Sequence, residues 1–151
     1  MAEHLLERSQ LVPTPPEQTF EFFADPRNLE AITPPWLRFH IVEAPDRLRR
    51  GSLLRYRLRL FQIPIRWTSE ITDWDPPYGF TDTQLRGPFR LWVHEHRLED
   101  LGTSTRVTDR VRYRVPLGPA GRAADRFLVR SWLDEIFDYR ARRLAELLTG
   151  T

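Results

Sequence analysis

The chain has no cysteine, which excludes disulfides, thiolate metal sites and cysteine nucleophiles. It has no lysine either, so all 23 basic side chains are arginine. Arginine does not titrate in the working range, and a formal charge of only +2 is enough to hold the isoelectric point high. Net charge therefore gives little reason to expect nucleic acid as a partner. No apolar run approaches the roughly 18 residues that span a bilayer, so no membrane span is expected. Met1 to Arg8 includes Glu3, His4, Glu7 and Arg8 and lacks the apolar stretch of a secretion signal. With cysteine absent, that fits a cytoplasmic protein.

What is present is an ordinary globular composition, 40% apolar and 29% charged. The 151 residues suit one domain, 1–151, with a single core. His4 to Val12 is apolar enough for an opening strand. Thr14-Pro15-Pro16-Glu17 reads as a capping box with Pro15 at the first helical position, followed by a short helix carrying Phe20, Phe22 and Phe23. Asp25-Pro26 starts a second short helix, which Thr33-Pro34-Pro35-Trp36 stops.

From about Arg38 to Val115 the period becomes two, the mark of strands with one buried face. Leu54, Tyr56, Leu58 and Leu60 alternate with Arg55, Arg57 and Arg59, and Ile65, Trp67, Ser69 and Ile71 continue inward on the next strand. Gln62 to Pro64 is the expected tight connection between them. Turns are expected at Asp75 to Gly79, at Arg86-Gly87-Pro88 and at Glu99 to Gly102. In the last strand Thr105, Val107, Asp109, Val111, Tyr113 and Val115 point inward, against Arg106, Arg110, Arg112 and Arg114. Strands joined by short turns form an antiparallel meander. A long helix should then run from about Ala120 to Leu148, with Val129, Trp132, Leu133, Ile136 and Leu147 in one stripe. That stripe has to be buried, and the concave face of the sheet is the surface available.

This element order is accompanied by particular words: Ile32-Thr33-Pro34-Pro35-Trp36-Leu37, Trp74-Asp75-Pro76-Pro77, Asp82 to Phe89, Trp92-Val93-His94-Glu95-His96, Asp109 to Tyr113 and Ile136 to Arg140. Together they resemble the START-like superfamily, also called SRPBCC, in its bacterial polyketide cyclase/dehydrase-like, ligand-binding branch. The resemblance covers nearly the whole chain. It implies an α+β helix-grip fold: a curved antiparallel sheet of about seven strands around a long C-terminal helix, with two short helices after the first strand. It also implies an apolar ligand (lipid, sterol, polyketide or other) held between sheet and helix. Some members are cyclases, dehydratases or hydroxylase partners, and fold alone does not choose among these.

Polar residues on the inward face need a reason to be there. Trp92, His94 and His96 share one face of their strand. A four-residue turn after Glu99, Asp100 to Thr103, would set His94 directly across from Asp109. Asp82 and Gln84 share a face on the neighbouring strand, and an odd-length loop at Gly87-Pro88 would bring Asp82 beside His94. Three readings follow: a satisfied network that fixes register, polar anchors for a ligand in an apolar pocket, or His94 as general acid/base oriented by Asp109 in a cyclisation or dehydration. No nucleophile with an activating base stands out, which argues against hydrolysis. The His94-x-His96 pair could point two imidazoles at a metal with Asp82 or Asp109 as third ligand. The spacing of Glu99 departs from the cupin pattern, and neither metal nor cofactor is expected.

Arg140 follows Ile136 by four and Leu133 by seven, so it lies on the apolar stripe. There it is either salt-bridged or clamps a ligand carboxylate or phosphate. Trp36, Tyr56, Trp67, Trp92, Tyr113 and Trp132 divide between core and pocket wall, and the Pro-rich turns at Pro34-Pro35, Pro76-Pro77 and Pro116 to Pro119 are candidates for the mouth. The outward arginine rows read as a solvated, edge-protecting face rather than a nucleic-acid groove. The favoured expectation is a carrier or sensor of an apolar small molecule. The alternatives are an enzyme using His94 and Asp109, with an oxidoreductase or biosynthetic partner not identified, and an interaction module with a filled core.

Overall fold

The computed structural model describes residues 3–149. Met1, Ala2, Gly150 and Thr151, the ends of the expected 1–151 domain, lie outside the described residues. The elements run β1 (His4–Val12), α1 (Pro16–Ala24), α2 (Arg27–Ala31), a 3-10 turn (Pro35–Leu37), β2 (His40–Glu43), β3 (Leu53–Leu60), β4 (Ile63–Asp75), β5 (Gly79–Arg86), β6 (Leu91–Asp100) and β7 (Thr105–Arg114). A continuous helical rod closes the chain: α3 (Gly118–Ala124), a π-helical segment (Asp125–Val129) and α4 (Arg130–Leu147). The seven strands form one antiparallel sheet in the order β1-β7-β6-β5-β4-β3-β2. This is the helix-grip α+β fold.

Alternation of apolar residues with arginine in β3, and of largely apolar residues with arginine in β7, puts one face of each inward. β7 alternates buried and exposed along its whole length. The sheet curls where β4, the longest strand, pairs irregularly with β5: Leu85 is the extra residue opposite Thr68 and Ser69, and Thr72 the extra residue between Ile71 and Asp73. An extra residue on one strand of a pair bends it and increases its twist. The curl brings Ile71, Trp67 and Val111 around the C-terminal helix, whose Leu133, Phe137 and Leu144 are buried against them. Gly121 lets the rod start close to the sheet, since a Cβ there would run into the carbonyl oxygen of Pro116.

Several local expectations need correction. The capping box is not formed: α1 begins at Pro16 with Pro15 as its cap residue and no side-chain cap. Thr14 instead bonds Thr19 through their hydroxyls at 2.7 Å, and its carbonyl accepts from Thr105 Oγ1 at 2.8 Å. Two successive prolines have no N–H to cap, so the threonine ties the helix to the sheet. The β3–β4 connection is Phe61-Gln62 rather than Gln62 to Pro64, with φ of 50° and 70°. Positive φ at both central residues is the type I′ condition that matches strand twist. On the rod, Leu147 is exposed, while Phe137 and Leu144 complete the buried stripe. Leu133, Phe137, Arg140 and Leu144 follow one another by three or four residues on the face that α4 turns to the sheet. The arginine rows of β3 and β7 do not guard sheet edges, because β2 and β1 flank them.

Candidate functional site

Between sheet and helix lies a cavity of about 150 Å³. Its wall is mostly apolar and aromatic, including Phe23, Phe80, Phe89 and Phe137 along with Tyr56, Trp67, Trp92, Trp132, Leu133 and Ile136. Near Pro34-Pro35 it is bounded by Thr33 and Leu37, whereas the turns at Pro76-Pro77 and Pro116 to Pro119 contribute nothing to it. The aromatic rings are braced against one another. Tyr56 stacks on Trp67 at 5.7 Å, Trp67 meets Trp92 edge-on at 5.3 Å, and Trp67 Nε1 donates to Ser69 Oγ at 2.9 Å. Burial and the neighbouring Asp82 push the Tyr56 hydroxyl well above its ordinary range, so it stays protonated.

Among these rings sits a buried cluster of five ionisable side chains: Asp82, His94, His96, Asp109 and Arg140. Register creates it. β5 and β6 pair Asp82 with His94, and β6 and β7 pair His96 with Asp109. The loop at Gly87-Pro88 thus turns Asp82 inward beside His94. On the other side, Asp109 faces His96, and His94 faces Val111. The β6–β7 connection begins one residue later than the expected Asp100 to Thr103, because Asp100 pairs with Thr105. Even so, His94 reaches Asp109 diagonally, with Nε2 2.7 Å from Oδ1.

Hydrogen-bond chemistry assigns the protons. Arg140 Nη2 lies 3.2 Å from His96 Nδ1 and 3.2 Å from Asp109 Oδ1. A guanidinium can only donate, so His96 Nδ1 accepts. His96 Nε2 therefore carries the hydrogen and donates to Asp82 Oδ2 at 2.7 Å. Burial, then the neighbouring His94, lower the His96 pKa to about 4 against the pull of Asp82. His96 is neutral at neutral pH. Burial alone would raise Asp82, but the His96 hydrogen bond and the positive potential of its neighbours hold it below the usual carboxylate range. Asp109, likewise buried, is held well below that range by Arg140 and then by the His94 hydrogen bond.

Several polar atoms of the cluster make no hydrogen bond, His94 Nδ1 and Arg140 Nε among them. His94 donates from Nε2 to ionised Asp109, and its Nδ1 is 3.8 Å from the nearest carboxylate oxygen, too far for a hydrogen bond. Arg140 is only 6% exposed, yet its Nε has no partner. An unsatisfied buried donor of this kind costs about 1–3 kcal/mol. Asp82, His94 and Arg140 all line the cavity, so its apolar wall carries a polar patch of acceptors and donors, although Arg140 Nε itself is sealed from the open space.

The cluster also resembles a metal cradle, since one atom each from Asp82, His94 and His96 lie within 4.8 Å of one another. The rings argue against it. His94 and His96 stack with centroids 3.7 Å apart and planes at 25°. Nearly parallel imidazoles direct their lone pairs along parallel lines, not to a shared point. Phe80, stacked on His96 at 4.0 Å, and Phe137, edge-on to His94 at 5.6 Å, hold them so.

Of the residues singled out in the sequence, Tyr56, Trp67, Asp82, Trp92, His94, His96, Trp132, Ile136 and Arg140 line the cavity. Gln84, Asp109 and Tyr113 do not. Gln84 closes the β5–β6 loop by bonding the backbone N and O of Phe89. Asp109 lies behind the histidines. Tyr113 is fully buried, and its hydroxyl donates to Asp125 at 2.7 Å. Burial and that carboxylate raise its pKa to about 12. Trp36 is half exposed and packs edge-on against Tyr139. Phe80 and Phe137 were missed, although Phe80 shares the face of Asp82 at a spacing of two and Phe137 follows Leu133 by four.

The fold recurs in solved structures. A protein from Thermus thermophilus superposes with a TM-score of 0.69 at 21% identity, covering 95% of each chain. The Zhui aromatase/cyclase from Streptomyces sp. R1128 gives 0.68 at 17% identity over 94% of each chain. The major latex-like protein 151 from Panax ginseng gives 0.68 at 16% identity over 97% of each. At such identities these likenesses speak for the fold alone. No curated protein matches the sequence. A family model described as polyketide cyclase / dehydrase and lipid transport matches residues 3–149, and the chain belongs to that family.

Proposed function

We propose that the protein binds a small apolar molecule of lipid, polyketide or aromatic type between sheet and helix, as a carrier or sensor. The observation that carries this reading is the cavity itself: apolar and aromatic walls with the polar side chains of Asp82, His94 and Arg140 gathered at one place on the lining. A dry apolar cavity of about 150 Å³ accepts a benzene-sized group, and a few placed polar atoms orient it. Such a space weighs against a core filled by side chains. The ligand group at the cluster is uncharged, because two carboxylates already face one guanidinium there and an anion would add a third negative charge. This revises the expectation that Arg140 clamps a carboxylate. A hydroxyl donating to His94 and a carbonyl accepting from Arg140 fit instead.

Native mass spectrometry of the purified protein, followed by organic extraction, tests the reading. A stoichiometric neutral apolar molecule is the expected result. An apo mass, together with failure to take up any hydrophobic probe into the Trp67–Trp92 region, overturns it.

A second reading, an acid–base enzyme of cyclase or dehydratase type, is favoured by the 2.7 Å bond from His94 to Asp109. That bond orients the ring and leaves Nδ1 free to take a proton. His94→Ala should then abolish turnover of the extracted ligand's precursor while binding stays within a few fold. Unchanged turnover removes this reading and leaves the first intact.

A further inference from the structure

The molecule has one end that neither the cavity nor the core explains. Antiparallel pairing brings the Phe61-Gln62 turn, the β5–β6 loop and the exit of β7 to the same end of the sheet. Phe61, Ile63, Leu117, Phe127 and Leu128 are exposed there by 56–77%. Phe61 reaches across the rod to Trp132, ring centroids 6.1 Å apart, one helical turn from Leu128. None of the five lines the cavity. Phe61 also occupies a positive-φ turn position where asparagine or glycine is the unstrained choice. Neither burial nor turn chemistry calls for a phenylalanine at that place.

Charge at this end is mostly basic, although in the flanking segments Glu3 pairs with Arg112 and Arg114, Glu7 with Arg110 and Glu43 with Arg55. The stretches 53–69, 83–94 and 110–124, which pass through it, hold ten arginines and no carboxylate. Arg57, Arg59, Arg66, Arg86, Arg90 and Arg122 are exposed and form no ion pair among the described residues. Arg57 and Arg66 even face each other across β3 and β4, a like-charge pairing that destabilises a sheet on its own. At the opposite end Asp73, Asp75, Glu99 and Asp100 stand among exposed arginines, Arg49, Arg50, Arg97 and Arg106. What sets the first end apart is its exposed arginines without an ion pair among the described residues.

We propose that this end docks on an anionic lipid bilayer. Phe61, Ile63, Leu117, Phe127 and Leu128 enter the headgroup region, and the surrounding arginines pair with lipid phosphates. Apolar tips ringed by basic side chains are the combination an anionic interface binds. A nucleic acid would want flat stacking platforms along a groove, whereas isoleucine and leucine tips gain nothing from bases. A second copy of this chain would set arginines against arginines. The proposal does not rest on the cavity being occupied.

The test is flotation of the full chain with phosphatidylcholine vesicles, with and without phosphatidylglycerol, at low and high salt. Binding to the anionic vesicles that falls with salt is expected, weakened about tenfold in Phe61→Ser/Ile63→Ser. Arg57→Gln/Arg66→Gln, which removes two unpaired exposed charges, should weaken it several fold with the fold intact, and it decides the matter if the first variant misfolds. No binding to anionic vesicles at low salt overturns the proposal. So does binding that both variants leave unchanged, tighter binding to a single-stranded oligonucleotide, or self-association that the first variant abolishes.

Discussion

His94 and Asp109 are not cross-strand partners, yet His94 Nε2 and Asp109 Oδ1 lie 2.7 Å apart. Asp109 sits opposite His96 and reaches back along its strand to His94, while Arg140 approaches the same carboxylate oxygen from the helix. One oxygen thus joins two strands to the rod. The cluster sits where sheet and helix must keep a fixed distance for the cavity to exist.

Removing either member of that junction should be costly. Asp109→Asn leaves the Arg140 charge buried with its nearest anion gone, and Arg140→Met leaves two buried carboxylates without their cation. Each is expected to lose about 3–5 kcal/mol in urea denaturation. The double variant should lose less than the sum, by about 1–3 kcal/mol. Strict additivity would mean that the pair is not coupled as its geometry requires.

Acid should weaken the fold through the same cluster. In the folded chain His96 takes a proton only near pH 4, against its ordinary 6.5. Between those values the unfolded chain holds more protons, so stability rises with pH across the window and falls on acidification. The loss attributable to His96 is up to about 3 kcal/mol. Asp82 and Asp109, both held below the ordinary carboxylate range, contribute stability at neutral pH that is lost at still lower pH. Denaturation midpoints measured from pH 7 to 4 should decline, and His96→Gln should flatten that decline. An equal slope in the variant would place the titration elsewhere.

Filling the cavity should separate binding from folding. Ile136 is half buried on the wall. Adding bulk to a filled core typically costs about 1–3 kcal/mol. Because Ile136→Trp grows into empty space, its expected cost is below about 1 kcal/mol. Uptake of the extracted ligand, read by tryptophan fluorescence or co-purification, should fall by at least about tenfold. A large loss of stability with ligand uptake retained would mean that the side chain does not enter the cavity.

Gly121 tests how the rod is seated. Since a Cβ would meet the Pro116 backbone oxygen, Gly121→Ala has no flexible neighbour to move aside. The expected loss is about 2 kcal/mol, measured by thermal or urea unfolding, although alanine is the better helix former. A stabilised variant would show that the helix start can shift away from the sheet.

The amino-acid sequence alone determined which residues share a face, since alternation of period two and spacing of three and four are local properties of the backbone. From them followed the seven strands, the terminal helix and the shared faces of Trp92, His94 and His96, and of Asp82 with Gln84. Period two says nothing about which inward residue stands beside which, because a slide of two residues keeps every face and changes every partner. Tertiary structure decided that Asp109 faces His96, that Gln84 serves the loop and that Tyr113 serves Asp125. It also decided that Leu147 is exposed while Phe137 is buried, by turning the face of Leu133, Phe137, Arg140 and Leu144 toward the sheet. Arg140 was legible as an anomaly on an apolar stripe. Its partners were not, because ion pairing falls off within a few ångströms and only the folded chain sets those distances.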